Sequence, residues 1–217
     1  MQPTDFDCCE VLRYLGVQEA DAALSAELEN CFSLLCETMQ PRHIWRCFDI
    51  TWNGNSPYLN DFCLVGRDIA AHLQGCSKAV LMAVTLSAST DKLIRRYQSV
   101  DMAKAVILDA AAGAAVEFEC ERTVDEIRAN TNFPHMTERF SAGYGDFPLT
   151  AQRRLLSMLN AARSIGLTAT DSDLLLPMKS VTAVIGLSNH AVQDARRFGC
   201  GKSCGLCPKR EDCPFQK

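Results

Sequence analysis

Residues 79–86 read AVLMAVTL, an unbroken apolar run of strand length. A strand without polar alternation is buried on both faces, so structure must pack above and below it. Around this run the chain alternates helix and strand signals without the regular repeat of a doubly wound sheet. Helix periodicity with start and stop residues predicts helices over 7–15 (ending at Gly16) and 19–40 (ahead of Pro41), with Leu24, Leu28, Phe32 and Leu35 on one face of the second. HIWRCFDITW at 43–52 reads as a strand, 53–57 as a turn, 62–65 as a short strand and 66–73 as a short helix. Further helices are expected over 89–97, over an Ala-rich stretch from 100 to 128, and over 149–165 with Gly166 as its stop. Strands are expected at 167–170, 174–176 and 180–187, and a last helix at 189–198. The mixture predicts an α+β fold. One main domain would span 1–198, with a helical part at 1–40, and 199–217 would form a small Cys-rich appendage.

That appendage holds Cys200, Cys204, Cys207 and Cys213 in the run CGKSCGLCPKREDC. Four thiolates on short spacers suit one metal centre, and a segment this short gains little folding energy from burial, which a metal would supply. Soft thiolates favour both Zn(II) and a [4Fe–4S] cluster, and the spacing does not choose between them. Free thiols or a disulfide are the plain alternative. The other eight of the 12 cysteines are scattered, mostly inside apolar helix or strand patterns, as small buried hydrophobes would be. The acidic, amphipathic start is unlike a signal peptide, which leads us to expect a reducing cytoplasm. The richest apolar stretch, 103–116, is too short for a membrane span and carries Lys104 and Asp109. A net charge of −4 argues against a general nucleic-acid binder.

The loop 139–148, RFSAGYGDFP, is the second informative stretch. Gly143 and Gly145 flank Tyr144, so the backbone can turn tightly and approach a ligand. Arg139 offers a planar fork for a carboxylate or phosphate, and Tyr144 a ring and a hydroxyl for a nucleobase, ribose or sulfonium. Asp146 is expected to cap the following helix. A purely structural loop, its arginine paired with a nearby acid, explains the same residues. The charged run 117–128 reads as a solvated helix face, and no catalytic acid, base or nucleophile stands out.

The order Arg139, Gly143-Tyr144, Pro148, a helix, Ile165-Gly166-Leu167-Thr168, then Pro177 and Ser180-Val181 resembles the activation domain of cobalamin-dependent methionine synthase. The Ala-rich helix, the HLQGC turn and the AVTL strand resemble standalone members of that family. The resemblance covers roughly residues 40–190. It implies a C-shaped α+β domain, a twisted and mainly antiparallel sheet with flanking helices, that binds S-adenosylmethionine in a shallow groove and docks on a corrinoid-binding domain, so that cob(II)alamin can be reduced and remethylated. Carried over, Arg139 would hold the methionine carboxylate and the backbone at Gly143 and Tyr144 the adenosine. Asp49, Glu117 and Ser180 complete the expected set. The family's carboxylate on the long helix falls at Gly113, and Glu117 lies one turn on. The chain lacks the family's late tyrosine.

The resulting expectation is a reactivation factor for a methionine synthase lacking its own activation domain, or for a related corrinoid protein that carries the cobalamin. A flavodoxin- or ferredoxin-type donor would supply the electron, with the Cys tail as a relay. The competing expectation is a metal-stabilised module that docks on a corrinoid protein without using S-adenosylmethionine.

Overall fold

The computed structural model describes residue 2 and residues 5–192. It opens with α1 (Cys8–Leu15), capped at its start by the Asp7 carboxylate and closed by Gly16 in the left-handed region at φ 72°. Next comes α2 (Ala22–Thr38), capped by Asp21. β1 (Arg42–Asn53), β2 (Ser56–Leu59) and β3 (Phe62–Cys63) form a meander. α3 (Arg67–His72) leads to β4 (Lys78–Thr85). Then follow α4 (Ala88–Gln98), the 29-residue α5 (Met102–Asn130) and the short β5 (His135–Met136). α6 (Ala151–Leu159), α7 (Ala161–Ile165), the hairpin β6 (Thr168–Ala169) with β7 (Leu175–Leu176), and β8 (Ser180–Ser188) complete the described chain.

Six strands form one antiparallel sheet in the order β3-β2-β1-β4-β8-β5. β4 is central and its apolar side chains are fully buried, as the run at 79–86 requires. Val80, Met82 and Val84 pack with α1, α2, α4 and α5 in one core; Ala79, Leu81 and Ala83 pack with α3, α6 and α7 in the other. An α+β fold with an antiparallel sheet and flanking helices is therefore what the chain adopts. Among the described residues, no helix is long and apolar enough to cross a membrane.

Three local expectations are corrected. The helix over 149–165 is two helices, because Asn160 adopts the left-handed conformation at φ 54° and closes α6. The turn after β1 is only Gly54-Asn55, and Ser56-Pro57 already belongs to β2. Residues 189–192 are not helical, and the rest of the helix expected there lies outside the described residues.

Candidate functional site

Arg139 follows β5 on the strand-like segment that runs beside β8. Thr137 N–H donates to Gly186 O at 2.9 Å, and Phe140 pairs with Val184. Successive side chains of such a segment point to opposite faces. Phe140 enters the core beside α6, whereas Arg139 turns toward α5. There its Nη2 donates to Glu117 at 2.8 Å and to Glu121 at 3.2 Å. The Arg139 side chain is four-fifths buried. Burial opposes its charge, yet Cys120 and the two carboxylates hold its pKa above the usual guanidinium range. Glu117 and Glu121, one helical turn apart, would repel each other without it. Both contacts use one nitrogen, so neither glutamate takes the bidentate fork that arginine offers a free carboxylate.

Glu117 also lines a groove of about 490 Å³ between α1, α5 and the turn before β8, together with Tyr14, Gly113, Lys179 and Ser180. Tyr14, on α1, lies over Gly113: a Cβ there would meet the ring at 3.5 Å. The position where the resemblance expects a carboxylate thus faces an aromatic ring. Burial, then Glu10, pushes the Tyr14 hydroxyl up to about 12. Lys179 is paired with Asp109 at 2.9 Å. The turn itself is pinned: the buried Asp91 carboxylate accepts from Met178 N–H at 2.7 Å, and Ser180 Oγ donates to Thr85 Oγ1 at 2.8 Å.

The Gly-Tyr-Gly loop faces elsewhere. Gly143 and Gly145 both have positive φ, 92° and 52°, and a Cβ at Gly145 would sit 2.1 Å from the Asp68 carboxylate. Tyr144 is half exposed and edge-on to Phe140 at 5.9 Å. Asp146 caps α3, not the helix after it: its oxygens accept from Arg67 N–H at 2.8 Å and Asp68 N–H at 2.9 Å. Those backbone bonds hold its carboxyl below the usual range. Asp68 returns a bond from Asp146 N–H at 3.3 Å, which closes the clamp.

The structure therefore brings Glu117 to Arg139, and Glu117 and Ser180 to one groove. Gly143 and Tyr144 do not line that groove. Asp49 is ion-paired with Lys78 and stands opposite it in β4, while Ser180 stands opposite Thr85. Seven strand steps separate the two ends, about 23 Å, so Asp49 is remote from the groove. The acidic run is also not a plain solvated face. Glu119 is buried beside Arg122, and Glu126 accepts from Trp45 Nε1 at 2.8 Å and pairs with His43 at 2.9 Å. Sequence reasoning missed Tyr14, Glu121 and the Lys179–Asp109 pair. For Glu121 the signal was its spacing of four from Glu117. Cys200, Cys204, Cys207 and Cys213 lie outside the described residues, and among the described residues no three His, Cys, Asp or Glu side chains are grouped to hold a metal ion.

A scan against protein families finds no match, nor does a search of curated proteins. Among solved structures, the MetH reactivation domain bound to AdoHcy superposes with a TM-score of 0.66 over 92% of this chain and 78% of that one, at 14% identity. The chain has the fold of that reactivation domain.

Proposed function

We propose that this chain is a reactivation factor for a corrinoid-binding protein and that it binds S-adenosylmethionine beside Arg139. The observation that carries the proposal is a fold shared over 92% of the chain with a domain solved with AdoHcy. The order of motifs around Arg139, Gly143 and Tyr144 supports it. The site chemistry fits the amino-acid end of the ligand, because a guanidinium and a carboxylate stand 2.8 Å apart, complementary to a carboxylate and an ammonium. The adjoining groove of about 490 Å³ falls within the usual range for ligand pockets, about 300–1,000 Å³. S-adenosylmethionine, when bound, supplies a sulfonium methyl to the cobalt carried by the partner. In this reading Glu117 receives the ammonium and Arg139 the carboxylate, Ser180 borders the groove, and Gly143 and Tyr144, which do not line it, take no part in holding the adenosine there. The chain's contribution is positioning, so it needs no acid, base or nucleophile of its own.

Isothermal titration of the full chain with S-adenosylmethionine tests this. Heat of binding in the wild type, lost in Arg139→Met and weakened in Glu117→Gln, supports it. No heat, with or without a corrinoid-binding partner, removes it. A second reading, docking on a corrinoid protein without S-adenosylmethionine, is favoured by two observations: Arg139 already has two carboxylates, and Gly113 faces Tyr14. Under that reading the titration is silent while the complex with the corrinoid protein still forms. The four tail cysteines are assigned to a [4Fe–4S] cluster, in keeping with an electron-transfer role, with structural zinc as the competing occupant. Iron, sulfide and zinc analysis of the full chain distinguishes them, and a visible absorbance that bleaches with dithionite marks the cluster.

A further inference from the structure

β1 is longer than either strand that pairs with it. Its first part, residues 42–49, lies against β4, whereas β2 covers the opposite edge only from Ile50 onward. Ile50 N–H donates to Ser77 O at 3.0 Å, which turns the backbone groups of the even-numbered residues of β1 toward β4. In an antiparallel ladder alternate residues direct these groups to opposite sides. The N–H and C=O groups of His43, Trp45 and Cys47 therefore point outward, and no described residue bonds to them. Natural sheets keep such open edges short. The outermost strands here, β3 and β5, are 2 residues each, yet β1 is left open along 42–49. Arg42, His43, Arg46, Cys47 and Asp49 are all exposed along it.

We propose that this open edge of β1 receives an extended, acidic segment of a partner protein, which adds to the sheet as a further strand. The side chains select that occupant. Ile44 and Phe48 pack toward the core under α6 and α7, and by alternation Arg42 and Arg46 stand on the same face. Neither arginine has a carboxylate partner among the described residues; Arg46 Nη1 reaches only Met158 O, at 3.5 Å. The two lie about 13 Å apart along the strand, a distance matched by acidic residues four positions apart on an added strand. α7 packs against β1 and contributes the exposed Arg163, which also has no carboxylate partner among the described residues. The other charges at this edge are already matched, His43 by Glu126 and Asp49 by Lys78. What is left over is basic, on a chain at −4 overall. A second copy does not fit, because antiparallel pairing over 43–49 sets Arg46 opposite Arg46 of the copy, and like charges directly opposite each other destabilise a sheet. An acidic segment meets both arginines with opposite charge, and its backbone completes the bonds left open at His43, Trp45 and Cys47. The edge is open whether or not S-adenosylmethionine binds.

Fluorescence anisotropy of labelled peptides titrated with the full chain tests it. The probe is the peptide Thr-Glu-Thr-Val-Thr-Glu-Thr-Val, whose glutamates fall opposite Arg42 and Arg46. It is compared with a version carrying lysine for both glutamates and with a version whose threonine nitrogens are methylated. The acidic peptide is expected to bind on the order of tenfold more tightly than the lysine peptide, and Arg46→Glu to remove that preference. Methylation should abolish binding, because those nitrogens pair with the edge. Cys47→Pro deletes one outward N–H and no bond to β4, so it should weaken the acidic peptide severalfold. Circular dichroism checks the fold of each variant; should Cys47→Pro unfold, the methylated peptide alone decides the backbone pairing. Equal binding of the acidic and lysine peptides, or no saturable binding of the acidic one, overturns the proposal. So does a methylated peptide that binds as well as its parent. A wild-type dimer in sedimentation that Arg46→Glu or Cys47→Pro dissociates overturns it too, since a second copy would then hold the edge.

Discussion

Gly113→Ala is expected to stabilise this protein, although Gly113 borders the groove and faces a packed ring. Gly113 sits near the middle of α5 with ordinary helical φ, so the substitution imposes no backbone strain. Alanine over glycine in a helix interior is worth roughly 0.5–1 kcal/mol, because glycine loses more backbone freedom on folding. The new methyl would meet Tyr14 at 3.5–3.9 Å, ordinary van der Waals contact. It would bury part of a group worth about 0.8 kcal/mol when fully covered. Together these give about 1 kcal/mol, a rise in Tm of about 2–4 °C for a chain of this length. Gly186→Ala is the opposite case. Its Cβ would lie 2.5 Å from Cys76 Sγ and 3.1 Å from both Leu73 and Thr137, all in buried positions. Overpacking of this kind costs about 1–3 kcal/mol.

Urea denaturation followed by circular dichroism, with the slope checked for constancy, measures both. Repeating Gly113→Ala in a Tyr14→Ala background separates the helix contribution from the ring contact, and only the latter should vanish. If Gly113→Ala destabilises by more than about 1 kcal/mol, Tyr14 does not leave a methyl's space above α5, and the groove wall is built differently. A neutral Gly186→Ala would likewise mean that β8 does not press against Cys76.

Burial lifts the Cys120 and Cys31 thiols to about 12 and Cys76 to about 11 from 9.0. The stability that comes from keeping them protonated is complete below pH 9 and lost as pH climbs toward those values. Stability measured with a reductant from pH 8 to 10.5 should fall from near pH 9, less steeply in Cys120→Ala, and a flat curve contradicts this. Glu126 is held below its ordinary 4.5, chiefly by the Trp45 indole. Its contribution is present above that value and lost as pH falls through the lowered one, so a Trp45 fluorescence titration with a midpoint at or above 4.5 refutes the contact. Asp146→Ala should accelerate hydrogen exchange at 67–70 and at 141–147 together, because one carboxylate ties both segments; movement of only one segment means there is no clamp.

The elements most legible in the sequence are those fixed by a residue's own chemistry. The run 79–86 is apolar on both faces except for Thr85, and it became the central strand. Gly16, Pro41 and Gly166 end helices because of what their backbones permit. What was not legible depended on which piece folds beside which. The apolar spacing of Leu155, Leu156, Leu159 and Ala162 runs straight through Asn160, so nothing in the pattern marks the break there. Asp146 has the chemistry of a cap, but the sequence does not say which helix start lies next to it, and α3 is 79 positions away. Asp49 was chosen for its type, and only the strand register shows it at the opposite end of the sheet from Ser180.

Arg139 belongs to both groups, and this decides how its role must be tested. Its charge and the glycines after it drew attention in the sequence, as did Glu117, whereas its second partner Glu121 was hidden in an acidic run. Because those two glutamates are a like-charged pair one turn apart, removing the arginine destabilises α5 as well as any ligand contact. Lost binding in Arg139→Met would therefore fit a purely structural arginine too. Glu117→Gln breaks the ambiguity: Arg139 keeps Glu121 as its partner, and the like-charge repulsion is gone. A Glu117→Gln protein with wild-type Tm and weakened S-adenosylmethionine binding places the carboxylate in ligand recognition. The same protein with wild-type Tm and undiminished binding assigns Glu117 to α5 alone and takes the ammonium contact out of the proposed site.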